Sequence, residues 1–395
     1  VVDWSALAVE EGAALSVSGW GDATEQQVVL DSIARFNQVF PDVTVTFEPI
    51  PSDFQTIMKA NMAGGTAADV FYVDADLMTA FGRNGQLLAL DAYMEMVGLE
   101  REHYVEALID MFTYEGVTYG LPKDMGSLGL VYLPAFFDEA GVDYPTADWT
   151  WEDMQEAAQA IYEATGTYGF CAIPDVGRWP AAVYQAGGAI MNEDYTEAVF
   201  NSPEAVEALE FWYGMYADGY AAVPSDIGVG WCGEALGREL VAMAWEGGWM
   251  INYLNVDFPD VEFAITPLPK GPVGEGNLLF TNAWGAKANT QYPVAAAALV
   301  MFLSGPENQE AILQTGFALP TMLHLLDHPW LDEHPNEAAI AYGAQSGEVF
   351  WYGVQHGDVL NRMGNALNAV FLGEKDIQTA LDEAVEEINT EVLGQ

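Results

Sequence analysis

Residues 237–253 read GRELVAMAWEGGWMINY, and their reading decides the fold. Gly237 and Arg238 close a predicted helix. Val241, Met243 and Trp245 then alternate with small residues, the spacing of a short buried strand. Glu246-Gly247-Gly248 turns the chain, and Trp249 to Leu254 is predicted to start a new helix. A strand that turns through two glycines into a helix brings bare backbone N–H groups to the helix N-terminus. Open α/β sheets take their ligands at such strand ends. Trp245, Trp249 and a carboxylate flank this turn. Flat apolar faces beside a charged acceptor suit a sugar, with its apolar C–H face and its rim of hydroxyl donors. The competing reading of either tryptophan alone is core packing.

Working outward, the N-terminal part of the chain repeats the strand–helix alternation. After a polar lead-in (1–12), Leu15–Ser18 reads as a strand. Asp22-Ala-Thr-Glu25 fits a capping box, and Val29, Ile33, Phe36 and Phe40 mark one face of the helix that follows. Val43, Val45 and Phe47 have strand spacing, a helix is expected over 52–62, and Val70–Val73 is a continuous apolar strand. This βαβαβ order predicts a parallel, doubly wound sheet. Its strand-end loops carry Trp20 and Asp22, then Asp74 and Asp76. These two acids are read as lying on one side of an extended segment. A helix interrupted at Gly85 is expected over 77–94. Short strands at 116–122 and 128–132 flank the polar joint 123–127, which contains Asp124 and Ser127. The second half alternates similarly. It has a helix capped by Thr150, a strand at 168–173 with Trp179 in the loop after it, a helix opened by Asn201-Ser-Pro-Glu204, and a loop at 226–234 holding Trp231. Strands are expected at 261–265 and 281–288, and helices at 292–303, 306–313, 358–371 and 376–393.

The totals bound the function. A chain of 395 residues exceeds one ordinary core, so two lobes are expected. No apolar run approaches the roughly 20 residues of a membrane span. No signal segment stands at the start, so either one was removed or the chain is cytosolic. Eleven basic residues face 59 acidic ones, a formal charge of −48, which argues against nucleic acid and anionic membranes as partners. The acids are dispersed, giving an acidic surface whose self-repulsion high salt or low pH would relieve. A salty or acidic setting outside a cytoplasm is therefore expected. Cys171 and Cys232 are an even pair, open to a disulfide or to two buried thiols, and make a poor zinc site.

Motifs for chemistry are sparse. Gly228-x-Gly230-x-x-Gly233 matches a dinucleotide fingerprint by letter, but no strand precedes it. The P-loop, His-Glu-x-x-His and Gly-x-Ser-x-Gly patterns are absent. With 59 acids, a neighbouring pair is no evidence of a glycosidase by itself. Of the 12 tryptophans, Trp20, Trp179, Trp249 and Trp284 are the expected stacking platforms, with Trp231 and Trp351 as further loop candidates.

The order of these pieces resembles the extracytoplasmic solute-binding proteins of ABC importers, specifically the maltose- and trehalose-type carbohydrate binders (family 1). The resemblance rests on Gly64-Gly-Thr-Ala-Ala-Asp-Val-Phe71 with Gly85-Gln-Leu-Leu88, on Tyr119-Gly-Leu-Pro122, and on Ala242, Met243, Gly247 and Trp249. Asn282–Lys287 and Ser304-Gly-Pro-Glu-Asn-Gln309 complete it. It implies two doubly wound α/β lobes joined by a hinge, the periplasmic-binding-protein type II fold. The lobes would be 1–124 with 285–327 and 125–284 with 328–395, and the ligand would lie in the cleft between them. It places contacts on Trp20, Asp22, Asp74, Asp76 and 124–127, and in the second lobe on Trp179, Glu246, Gly247, Gly248, Trp249 and Trp284. Trp231 matches no family motif. The implied function is binding a neutral di- or oligosaccharide and delivering it, by hinge closure and without chemistry, to a membrane permease. A monomer without cofactor or metal is expected, in the periplasm or tethered as a lipoprotein to the outer face of the membrane. The alternatives are an extracellular carbohydrate-active enzyme, with Glu246 and Asp74 as acid and base, or a binder of another polyol or compatible solute. Lys123 and Arg178 are the cations that could hold a carboxylate or phosphate.

Overall fold

The computed structural model describes residues 2–21 and 23–394. It has twelve strands: β1 (Ala14–Ser18), β2 (Thr44–Phe47), β3 (Val70–Val73), β4 (Thr113–Tyr114), β5 (Val117–Thr118), β6 (Gly120–Tyr132), β7 (Tyr168–Cys171), β8 (Ala221–Ala222), β9 (Val241–Gly247), β10 (Ala264–Thr266), β11 (Asn277–Ala286) and β12 (Gly347–Val349). The chain divides into two units. The first comprises Val1–Met125 and Phe280–Trp330, the second Gly126–Leu279 and Leu331–Gln395. Two of the divisions fall inside strands, β6 and β11.

In the first unit β1 lies between β2 and β3, parallel to both, and the end of β11 runs antiparallel to β3. Chain order reverses on either side of β1, so the loops after β1 and β3 part there, the usual place for a ligand in such sheets. Leu15 and Val17 of β1 are buried around the partly exposed Ser16, and all four residues of β3 are buried. Helix Ala23–Val39 lays Val29, Ile33 and Phe36 on this core at helical spacing. Helix Pro293–Leu303 carries no charge, and every residue from Ala295 on is buried, which suits a helix covered on all sides. No described helix is long and apolar enough to cross a membrane.

In the second unit β9 runs antiparallel to β6 and parallel to β7, and β7 is parallel to β8. β10 adds to β6, antiparallel. Thr150 caps helix Trp151–Thr165 in a reciprocal box with Asp153, and Ser202 caps helix Pro203–Ala217. Trp212 and Trp245 are buried with ring centres 5.0 Å apart. Cys171 at the end of β7 is bonded to Cys232 at the start of helix Cys232–Gly237.

Three local expectations change. The polar joint 123–127 is no break: β6 runs through it. Met125 N–H donates to Leu319 O at 3.0 Å, and the Asn277 amide side chain exchanges bonds with the Leu128 backbone as a strand would. The stretch 77–94 is not one helix. A short turn of helix, Ala75–Leu77, passes into a π-helical turn, Met78–Gly82, and helix Asp91–Val97 follows. Between them Leu88 N–H bonds Ala286 O, so the chain is drawn to β11 instead. The 226–234 loop is partly helical, entering helix Cys232–Gly237.

Candidate functional site

Among the described residues, each unit brings together one cation, two carboxylates and at least one indole. In the first unit the cation is Lys123 of β6. Its Nζ lies 3.3 Å from Glu25 Oε1, bonds the Asp124 carboxylate, and sits 4.6 Å from the centre of the Tyr72 ring. Tyr72, from β3, donates its hydroxyl to the same Glu25 oxygen at 3.0 Å. Trp284 packs on Tyr72 from β11, ring centres 4.4 Å apart, and Trp20 meets Tyr72 edge-on at 4.8 Å. Burial works against the ammonium, but Asp124, Tyr72 and Glu25 outweigh it and hold Lys123 protonated above its ordinary range. Burial pushes the Tyr72 phenol up, so it stays a donor. A small recess opens here, lined in part by Glu25, Tyr72, Lys123, Asp124 and Trp284. Gly21 makes this arrangement possible: its φ is +124°, and a Cβ there would strike the Glu25 carboxylate at 2.3 Å.

In the second unit the cation is Arg178, in the loop before helix Trp179–Gln185. It bridges Asp175 Oδ1 at 3.1 Å and Glu246 Oε2 at 2.6 Å. Trp249 donates its indole N–H to that same Glu246 oxygen at 2.9 Å, and the guanidinium carbon lies 5.6 Å from its ring centre. Glu246 is 1 % exposed, whereas Trp249 is 40 % exposed. Burial pushes the Glu246 carboxyl above its usual range, and Arg178 and Trp249 pull it back only in part. The Trp249 ring folds over Gly247, where a Cβ would meet it at 2.2 Å, so only glycine fits under the indole.

Residues 20–310, about three-quarters of the chain, match the model of the bacterial extracellular solute-binding protein family. The chain belongs to this family. An arabinooligosaccharide-binding protein of Halalkalibacterium halodurans is similar, 27% identical over 192 residues, 47% of this chain and 42% of that one. Among solved structures, an ABC substrate-binding protein of Listeria monocytogenes, in complex with cycloalternan, has a TM-score of 0.83 at 24% identity, covering 97% of this chain and 99% of that chain. The cyclic α-maltosyl-1,6-maltose binding protein of Arthrobacter globiformis has a TM-score of 0.84 at 22% identity, with the same coverage. These likenesses establish the two-lobed α/β fold of solute-binding proteins.

Within this solute-binding protein, the residues expected to touch ligand have diverse surroundings. Trp20 is partly buried and also packs edge-on against Phe54. Asp22 lies outside the described residues. Asp74 and Asp76 do not share an extended segment. Asp74 caps the turn Ala75–Leu77, accepting from Leu77 N–H at 2.9 Å and from Gln55 at 2.6 Å, and the exposed Asp76 pairs with Lys59. Ser127 is fully buried and donates to Ile340 O at 2.6 Å, so it holds the fold. Trp179 is 0 % exposed, edge-on to Phe200, and offers no face to a ligand. Trp284 is buried beneath Tyr72 and falls in the first unit, not the second, because β11 crosses the division before reaching it. Gly248 precedes helix Trp249–Asp257 and packs near Ile340. Trp231 and Trp351 are partly exposed, paired with Tyr253 at 4.7 Å and Tyr195 at 4.8 Å.

Lys123 and Arg178 are each paired with two carboxylates of the chain, and Arg178 Nε is buried without a hydrogen-bond partner among the described residues. Glu25, Tyr72 and Asp175 were not legible as site residues. Glu25 reads as a capping residue, and Tyr72 sits mid-strand. A clue for Asp175 is its place three residues before Arg178, in the loop after β7.

Proposed function

We propose that this solute-binding protein takes up a neutral di- or oligosaccharide outside the cytoplasm and passes it, chemically unaltered, to an ABC permease. The observation that carries the reading is Trp249, an exposed indole held by its N–H to a buried, arginine-paired carboxylate at the end of β9. Such a ring is fixed in place yet open on its surface, which is what stacking on a sugar requires. Asp124, part-exposed beside Lys123, supplies an acceptor for hydroxyls in the other unit. Relatives that bind arabinooligosaccharide or cyclic glucans point to the same ligand class. The carboxylates considered for acid–base catalysis are otherwise engaged, Asp74 as a cap and Glu246 in an ion pair.

Calorimetric titration with arabino-, malto- and cyclic oligosaccharides tests the reading. The expected result is a dissociation constant near micromolar, about −8 kcal/mol, with the sugar recovered intact. Silence across the panel, or a cleaved product, overturns it. The charge of −48 further suggests a salty or acidic working medium. Stability at neutral pH should then rise with added salt, and a flat response would dismiss that setting.

A further inference from the structure

The Lys123 cluster goes beyond providing hydrogen-bond acceptors. Among the described residues it contains one cation and two carboxylates, so their summed charge is negative by one; with the cation removed, it would be negative by two. The Lys123 side chain is 9 % exposed, against 17 % for Glu25 and 22 % for Asp124. The lysine side chain is thus less exposed than either carboxylate, and its Nζ lies 4.6 Å from the centre of the Tyr72 ring. The chain has only 11 basic residues to 59 acidic ones, so few other cations exist to take this place. Two partly exposed carboxylates without an internal cation would attract one from outside, since their mutual repulsion persists unless a positive charge sits between them.

We propose that Lys123 determines the charge of the ligand: it makes the first unit's cluster select neutral hydroxylated sugars, and without it the same carboxylates select amino sugars. The inference rests on the sugar-binding reading above. Lys123 acts through Glu25 and Asp124 and is a positioning residue. Its two ion pairs among the described residues are to these carboxylates, and the net negative cluster repels a uronate or a sugar phosphate.

The test titrates the full chain at mildly acidic pH, where sugar amines are protonated. The probes are arabinotriose and maltotetraose (neutral), a glucosamine tetramer (cationic) and a galacturonate tetramer (anionic). Wild type should bind a neutral probe and neither charged one. Lys123→Met should bind the neutral probe about tenfold more weakly and the glucosamine tetramer more tightly than the neutral one, with an affinity that falls as salt rises. Lys123→Arg should restore the neutral preference. Retention of the wild-type order by Lys123→Met, or loss of every probe by a folded variant, overturns the proposal. Should Lys123→Met fail to fold, Asp124→Asn provides the second reading. It leaves one carboxylate to one cation, and discrimination against galacturonate should shrink by about threefold or more. Unchanged discrimination overturns the proposal. A wild type that ignores both neutral probes defeats the sugar reading instead, while a gain of glucosamine binding in Lys123→Met over wild type still supports the role of Lys123.

Discussion

The two clusters use one recipe, a cation between two carboxylates beside an aromatic face, yet they differ in rigidity. Arg178 spans Asp175 and Glu246 with two nitrogens of a planar fork, and one of those carboxylates is 1 % exposed. Lys123 is a point charge on a flexible stem, and both its partners keep contact with water. The second unit's cluster is therefore locked, and its cation cannot be withdrawn without stranding a buried charge. The first unit's cluster is more open to water, as the proposed role of Lys123 in selectivity requires. The lesson is that burial of the carboxylate, more than the identity of the cation, decides whether an ion pair is structural.

The largest effect expected from this contrast is on stability. Arg178→Met should lower the unfolding free energy in urea by about 3–5 kcal/mol, the usual result of leaving a buried charge unpaired. Lys123→Met should lose clearly less, because water reaches Glu25 and Asp124. Equal losses would break the comparison. Next comes the disulfide, which only the second unit carries among the described residues. The bond closes a separation of 61 residues, so replacing both Cys171 and Cys232 by Ala should cost about 4 kcal/mol in the chain-entropy picture. That loss should appear in the second unit's hydrogen exchange and leave the core around β1 and β3 unchanged.

A smaller effect separates binding from folding. Trp249→Ala should weaken sugar binding by about 2 kcal/mol, roughly 30-fold, in calorimetry, while the melting temperature moves little, since the ring is 40 % exposed. A large loss of stability without a loss of affinity would make Trp249 a packing residue.

The smallest expected effect lies in pH slopes, and the two units should differ in sign. Burial pushes Asp69 up, but the Ser16 amide, Thr290 and Lys287 outweigh it and hold it below the usual carboxylate range. Its contribution to stability is thus present above its unfolded pKa and lost as pH falls through the folded value. Glu246 is held above its usual range, chiefly by burial. Its contribution is present below its unfolded pKa and lost as pH rises through the folded value. Urea unfolding from pH 3 to 7 should therefore show Asp69→Asn losing less on acidification than wild type, and Glu246→Gln losing less as pH rises. Parallel slopes in the two variants would refute the sign difference.

Much of the fold was legible locally. The alternation of Leu15 and Val17, the helical spacing of Val29, Ile33 and Phe36, and the run Val70–Val73 each state their element within a few residues. The site was legible only in part. Trp249 and Glu246 stood out because a strand, two glycines and an indole are consecutive. Trp179 looked equivalent, but its burial depends on Phe200 and the helices around it. Asp74 looked like a free acceptor because nothing in its own neighbourhood announces Gln55 as a donor.

The sequence by itself determined the strand–helix order, the excess of negative charge and the indole-rich turn at 246–249. These depend on side-chain periodicity and on the steric freedom of glycine, which act between near neighbours. Each cation has one carboxylate close in sequence, Asp124 or Asp175, but tertiary structure alone supplied the second, 98 residues away in Glu25 for Lys123 and 68 in Glu246 for Arg178. It also decided which tryptophans keep a face to water and that β6 runs unbroken through its polar residues. Ion pairing and burial act through space, and only the folded chain brings such distant positions within bonding distance.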